Sequence, residues 1–519
     1  MPTASAPRSA TALKGFMGLF GLMLLLANFS FGADDELLKE FKRYFRKYKE
    51  SSERIEAVLS LEGLDVGGVV DLLVPILKDK DPDVVSASVK VLAGFKSRSA
   101  IDALLLALTD AKKDAVRLAL LRTIARANYA HDGEAVLPSL EDRSWEIRRY
   151  AVEALVNNNS ETHVEAILPL AQDKEAAVRL IVLDSLGNMG REEARILGLA
   201  ALEDESWQVR ASAIEVLGKV RHRDNVPALI AHMKVEEGRL SEDVATALEN
   251  LTTRDFGQRI VLWERFWEQY KDRYEIPTDE AMAKFRKRQA ENALVYKPGT
   301  GGGTSYHGIE TPSRSVLFVV DVSGSMENEI TEKDRFKDGG YPSYSRMDIV
   351  KTELSRTIDS LEPYVTFNIL AFATDVRSWK KSLTKANVLN RSSAKSWILR
   401  LEPLGGNSKQ ELAEVGLGSS ANLEAGKTNT WGALAWALAV NDGKGKEEYE
   451  MAVDTIFFLS DGRPTHGRHV DTDRILQEVK KANSVRKVTI HALAIGEFQK
   501  TFMKRLATEN RGQFVDLGQ

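Results

Sequence analysis

From about residue 50 to residue 255 apolar side chains recur at intervals of three and four, as in Val209, Ala213, Val216 and Leu217, the stripe that one face of an α-helix buries. The stripe is itself periodic. EDRSWEIRRYAVEAL (141–155) returns as EDESWQVRASAIEVL (203–217) at an offset of 62, twice 31, and with AVRLALLRTI and AVRLIVLDSL it places Arg117, Arg148, Arg179 and Arg210 at intervals of 31. Asp79, Asp110, Asp142, Asp173 and Asp204 keep step at spacings of 31, 32, 31 and 31. A second amphipathic segment precedes the Asp, for example VEAILPLAQD and ILGLAALED. Two short helices per unit, neither able to bury its face alone, predict an α-solenoid of roughly six units.

This pattern resembles the short HEAT repeat of the phycobilisome-lyase type. The phased Asp is expected to cap the helix that follows it, and the Arg one turn later to bridge to that Asp or to the next repeat. Trp145 and Trp207 are expected to pack between repeats. The solenoid is placed at 34–255, with a helical cap over 256–296 to cover its last apolar face and a glycine-rich linker, KPGTGGGTSYHGIETP, over 297–312.

Beyond the linker the period changes. VLFVVD (316–321), VTFNILAFATDV (365–376), DTIFFLSDG (454–462), VTIHALAIG (488–496) and FVDLG (514–518) are short apolar runs separated by amphipathic helices. Such alternation predicts right-handed βαβ units in a doubly wound, Rossmann-like α/β sheet, whose ligands bind beyond the carboxyl ends of the strands. Three polar clusters stand at those ends: Asp321, Ser323 and Ser325 in DVSGS, Thr428 in GKTNT, and Asp461 in LSDG. Two carboxylates and three hydroxyls form an all-oxygen donor set suited to a hard cation, Mg²⁺ first, with Mn²⁺ or Ca²⁺ as alternatives. Gly324 is expected to permit the turn that aims both serines at one point.

With these motifs in this order, residues 313–519 resemble a von Willebrand factor A domain with its metal-ion-dependent adhesion site. The resemblance implies direct coordination by Ser323 and Ser325, direct or water-mediated coordination by Thr428, and water-mediated contact from Asp321 and Asp461. It also implies a protein partner whose Asp or Glu completes the metal's coordination. The loops 327–345, with Tyr341 and Tyr344, and 407–426 are expected to rim the site as specificity elements.

Composition narrows the alternatives. Lys plus Arg number 71 against 75 Asp plus Glu, a net charge of −4, which gives no basic field for nucleic acid. No cysteine is present, which excludes thiolate chemistry, and the eight histidines show no HExxH spacing, so a zinc-hydrolase reading has no support. An enzymatic reading as a Mg²⁺-dependent phosphohydrolase lacks the second Asp two residues after Asp321, where Ser323 stands. A phosphate loop at GKT lacks its first glycine, because Ala421 occupies that place. At the N-terminus, GFMGLFGLMLLLA (15–27) before NFSFGADDE reads as a signal peptide over 1–33, with a retained anchor as the alternative. The expectation is an exported, non-enzymatic binding or scaffold protein of the periplasm, envelope or exterior, with no integral span in the mature chain. A partner surface on the solenoid itself is the competing arrangement.

Overall fold

Proline decides how the first helix of two repeats ends. Pro75 and Pro169 each follow a hydrophobic residue just past the end of an α-helix, Gly67–Leu73 and Val164–Ile167, and each lies in the 3₁₀ turn that continues it, Val74–Lys78 and Leu168–Gln172. A proline ring removes the N–H and crowds the carbonyl four residues earlier, so α-helical bonding gives way to the tighter turn. The computed structural model describes residues 31–127, 131, 133–157, 163–293, 304–405, 426–440, 451–496 and 500–517. The predicted signal segment lies almost wholly outside these.

Two units are distinguished, 1–136 and 137–519. In the first, helices α1 (Phe31–Tyr44), α2 (Ser51–Leu59), α3 (Gly67–Leu73), α4 (Pro82–Ala93), α5 (Arg98–Asp110) and α6 (Asp114–Arg126) pack through Val58, Leu73, Leu92, Leu104 and Leu120, all fully buried. Asp79 accepts from the backbone N–H of Asp81 at 2.9 Å and from Arg54 at 2.5 Å.

The second unit continues with α7 (Trp145–Asn157), α8 (Val164–Ile167), α9 (Ala176–Asn188), α10 (Glu192–Ala201), α11 (Trp207–Lys219), α12 (Asn225–Met233) and α13 (Arg239–Thr252), followed by α14 (Ile260–Tyr270) and α15 (Asp279–Ala293). Two rungs of the Asp and Arg ladders bind successive repeats together, while Arg117 pairs with Asp114 of its own helix and Arg210 with Glu236. Asp173 accepts from the N–H of Glu175 and Asp204 from that of Ser206, each at 2.9 Å. Arg148 grips Asp173 of the next repeat with two bonds, 2.6 and 2.7 Å, and Arg179 grips Asp204 at 2.7 and 2.8 Å. The same guanidinium of each donates to its own turn, Arg148 to the Asp142 carbonyl and Arg179 to that of Asp173, both at 2.8 Å. One side chain thus ties three points of two repeats.

Strand structure begins earlier than the linker pattern suggests, in a two-stranded sheet of its own. Strands β1 (Thr304–Tyr306) and β2 (Ile309–Thr311) form an antiparallel hairpin inside the stretch expected as linker. Tyr306 is the reason: fully buried, it meets Phe318 and Phe457 edge-on at 5.4 and 5.6 Å, which anchors the hairpin in the core. The main sheet takes β3 (Ser315–Asp321), β4 (Thr366–Phe372), β5 (Val376–Ser378), β6 (Thr384–Lys385), β7 (Thr455–Ser460), β8 (Thr489–Ala494) and β9 (Phe514–Asp516) in the order β5-β4-β3-β7-β8-β9, with β6 beside β4. The pairs β3–β4, β3–β7, β7–β8 and β8–β9 are parallel, while β5 and β6 run against β4. Strand alternation sends Val316, Phe318 and Val320 to one face with α16 (Arg346–Ser360) and α17 (Val388–Leu399). Leu317 and Val319 face α18 (Thr430–Ala437), α19 (Thr472–Arg486) and α20 (Lys500–Thr508) on the other. The chain leaves β3 for β4 on one side and later enters β7 on the other, so the topological switch falls at the carboxyl end of β3.

The opposite end of this sheet rests on the helical repeats. Lys487, the left-handed C-cap of α19, lies 2.7 Å from Asp184 of α9 and 3.2 Å from Glu215 of α11. Arg239 donates to the Lys487 carbonyl, Arg149 to Ser484 at 2.9 Å, and the Trp207 indole N–H to the Met451 carbonyl at 3.0 Å. Trp207 thus makes the expected inter-repeat contact, with Arg239 of α13 over its ring at 5.4 Å, and in addition reaches the sheet domain through its indole N–H. Glu215 is held below the usual carboxylate range: burial opposes its ionisation, but the charges of Lys487, Arg511 and Lys219 outweigh that cost.

Candidate functional site

The switch point is where the three predicted motifs meet. Asp321 ends β3 and Ser460 ends the adjacent β7, so Asp321 and Asp461 leave neighbouring strands at the same edge. Asp321 is wholly buried, accepting from the Ser323 N–H at 2.8 Å with one oxygen and from the Ser460 hydroxyl at 2.6 Å with the other. Ser323 then starts a 3₁₀ turn, Gly324–Glu327, closed by the Met326 N–H on the Ser323 carbonyl at 3.1 Å. That turn sets the Ser323 and Ser325 hydroxyls 3.3 Å apart. Gly324 is not among the glycines with positive φ, so the 3₁₀ turn, and not a left-handed glycine, aims the serines.

Ser325 donates to Asp461 Oδ1 at 2.8 Å. Thr428 reaches the group from the far side. Its N–H donates to Thr465 Oγ1 at 2.9 Å, its carbonyl accepts from the Thr465 and His466 N–H groups, and the following Asn429 N–H donates to Ala373 beyond β4. Gly462 supplies the room: a Cβ there would stand 3.2 Å from Thr428 Oγ1 and 3.7 Å from Ser325 Oγ, inside the space the hydroxyls share. All five predicted donors are thus brought to one small region.

Electrostatically the region holds two buried acids and one neighbouring cation, Arg346. Burial, and then the charge of Asp461, push the Asp321 carboxyl up to about 7, against the hydrogen bonds of Ser323 and Ser460. Burial raises Asp461 as well, opposed by Arg346 and Ser325. Two buried carboxyls thus share one edge of the sheet, Asp461 paired with Arg346 and Asp321 held by hydrogen bonds alone. Among the described residues no group of three or more His, Cys, Asp or Glu is arranged to hold a metal. The donors gathered here are two carboxylates and three hydroxyls, the oxygen chemistry that hard cations prefer.

Two residues escaped the sequence reading. Ser460, quoted within LSDG, holds one oxygen of Asp321; its place next to Asp461 at a strand end was a usable signal. Arg346, the first residue of α16, donates to Asp461 Oδ2 at 2.5 Å, and nothing local announces a contact across 115 residues. The loop 327–345 also differs from expectation. Tyr341 turns inward to donate to Glu353 at 2.7 Å, with Arg356 over its ring, and it packs with Tyr344 on the core. These tyrosines anchor the loop. The second expected rim, 407–426, lies almost wholly outside the described residues.

Comparison with known proteins agrees with the architecture. A family model for the von Willebrand factor type A domain matches residues 314–516, and one for HEAT repeats matches 45–125 and 133–197. Among curated proteins, inter-alpha-trypsin inhibitor heavy chain H4 of Homo sapiens is 27% identical over 208 residues, 40% of this chain and 18% of that protein. Heavy chain H2 of Sus scrofa is 28% identical over 200 residues, 38% of this chain and 17% of its own length. The chain therefore spans less than a fifth of these relatives. Among solved structures, a von Willebrand factor type A protein from Catenulispora acidiphila aligns with 18% identity and a TM-score of 0.28, over 40% of this chain and 39% of that one. No described helix is long and apolar enough to cross a membrane. The chain thus carries HEAT repeats in its N-terminal part and a von Willebrand factor type A domain at 314–516.

Proposed function

We propose that this protein is an exported interaction protein whose C-terminal domain holds Mg²⁺ through Ser323, Ser325 and Thr428, with Asp321 and Asp461 acting through bound waters. The observation that carries the reading is the convergence of five oxygen donors, two of them buried acids, on the space beside Gly462. Hydroxyl ligands neutralise little of the metal's charge, so a partner's Asp or Glu is the natural last ligand. The site lies at the carboxyl edge of the sheet, and the helical repeats hold the opposite edge, so a partner can approach the metal without displacing them. The role is binding and not catalysis in this reading, since a phosphohydrolase built on the Asp321 strand needs a second Asp two residues later, where Ser323 stands.

The test is calorimetric titration of Mg²⁺ into the full chain and into Asp321→Ala, with capture of partners from an envelope extract in Mg²⁺ and in chelator. Binding by the native chain alone, and a partner lost both on chelation and in the variant, supports the reading. Equal Mg²⁺ affinity in the two proteins refutes it. A partner kept under every condition moves recognition to the solenoid.

A further inference from the structure

Arg346 occupies a position that the metal reading does not account for. The side chains of Arg346 and Asp461 are 10% and 0% exposed, and Arg346 Nη1 stands 2.5 Å from Asp461 Oδ2 and 3.4 Å from the Ser325 carbonyl. The slot is cut for it. A Cβ at Gly496, whose φ of 125° already disfavours other residues, would come within 3.0 Å of the guanidinium carbon. The backbone N–H of Arg346 is tied to the Asn328 carbonyl at 2.9 Å, which fixes the start of α16 beside the serine turn. Asp461 is therefore divided: Oδ1 faces Ser325 and the donor space, while Oδ2 is committed to a permanent internal cation.

We propose that Arg346 is a resident counter-cation that sets the charge balance of the site, lowering its affinity for the metal while leaving a bound metal more attractive to a partner's carboxylate. The inference rests on the metal reading above. Without Arg346 the two acids would present two negative charges; with it they present one, so a divalent ion keeps a net positive charge for an acidic ligand to meet. A neighbouring positive charge within a few ångströms in a buried setting opposes cation binding strongly.

The full chain is titrated with Mg²⁺ at fixed low ionic strength as native protein, Arg346→Gln, Arg346→Lys and Asp321→Ala. Arg346→Gln keeps a hydrogen-bond donor for Asp461 but removes the charge, and should bind Mg²⁺ about tenfold or more tightly than the native chain. Arg346→Lys, which keeps the charge, should stay near the native value. A gain of affinity is an effect that structural damage does not produce. Equal or weaker binding by Arg346→Gln, with native binding intact, overturns the inference and leaves the metal site standing. No binding by the native chain overturns both. Because a lone buried carboxylate can prevent folding, the pair Asp461→Asn and Arg346→Gln/Asp461→Asn provides a second comparison. The double variant should bind more tightly than the single, and the reverse order also overturns the inference.

Discussion

Lys487→Asn isolates the charge at the seam between the helical repeats and the sheet domain. Lys487 sits at φ 56° and ψ 21°, left-handed space that asparagine enters at little cost, so the change removes an ammonium without imposing new backbone strain. Its side chain is 5% exposed and faces Asp184 at 2.7 Å and Glu215 at 3.2 Å. At an effective dielectric of about 20 these contacts are worth roughly 6 and 5 kcal/mol before desolvation is deducted. Deleting one partner of a buried pair costs about 3–5 kcal/mol, because the remaining charges stay in place without their counter-ion. Arg511, 3.4 Å from Glu215, and Lys219, 2.7 Å from it, soften the loss, so we expect the low end, about 3 kcal/mol. That is roughly a hundredfold shift from the docked to the undocked arrangement. Hydrogen exchange of the full chain should show faster exchange at the end of α19 and along β8, with the sheet core still protected. Asp184→Asn combined with Lys487→Asn should cost less than the two single changes summed. Unchanged protection and an unchanged unfolding midpoint in Lys487→Asn would refute the assignment of docking energy to this contact.

The remaining expectations concern the repeats. Arg179→Ala should destabilise by about 3 kcal/mol or more, since it strands the 13%-exposed Asp204 and the turn carbonyl of Asp173. Arg98→Ala, which removes an exposed intrahelical pair with Asp102, should cost about 0.5 kcal/mol or less, and urea unfolding in which the two variants match would contradict the ladder's role. Burial, followed by the charge of Asp243, pushes Glu242 of α13 up to about 7, above the ordinary 4.5. A raised carboxylate contributes stability that is complete below 4.5 and lost as pH rises through about 7. Glu242→Gln should therefore melt close to the native chain near about pH 5 and above it near about pH 8. Glu249, likewise raised to about 7 by burial, will preserve part of the slope; a native-like slope in Glu242→Gln would show that Glu242 is not its source.

What the amino-acid order determined is what local pattern can encode. The 31-residue register places Arg148 and Arg179 in phase with Asp173 and Asp204, so their stacking role was legible before any coordinates. Apolar runs ending in Asp321 and Asp461, with Thr428 at a helix start, marked the donor set, because a strand end is a local event. The split of repeat helices at Pro75 and Pro169 is equally local, and it follows from the missing N–H. Sheet order and domain packing decided the rest. Ser460 reaches Asp321 because β7 lies beside β3, and Arg346 reaches Asp461 because α16 starts beside the same switch point. The hairpin around Tyr306 forms within a glycine-rich stretch because two phenylalanines from distant strands make a pocket for its ring. Trp207 reaches beyond its own repeats because the Met451 carbonyl meets its indole N–H at the seam, while Arg239 of α13 covers its ring. Each of these contacts depends on which elements become neighbours, and burial in three dimensions, not spacing along the chain, selects that.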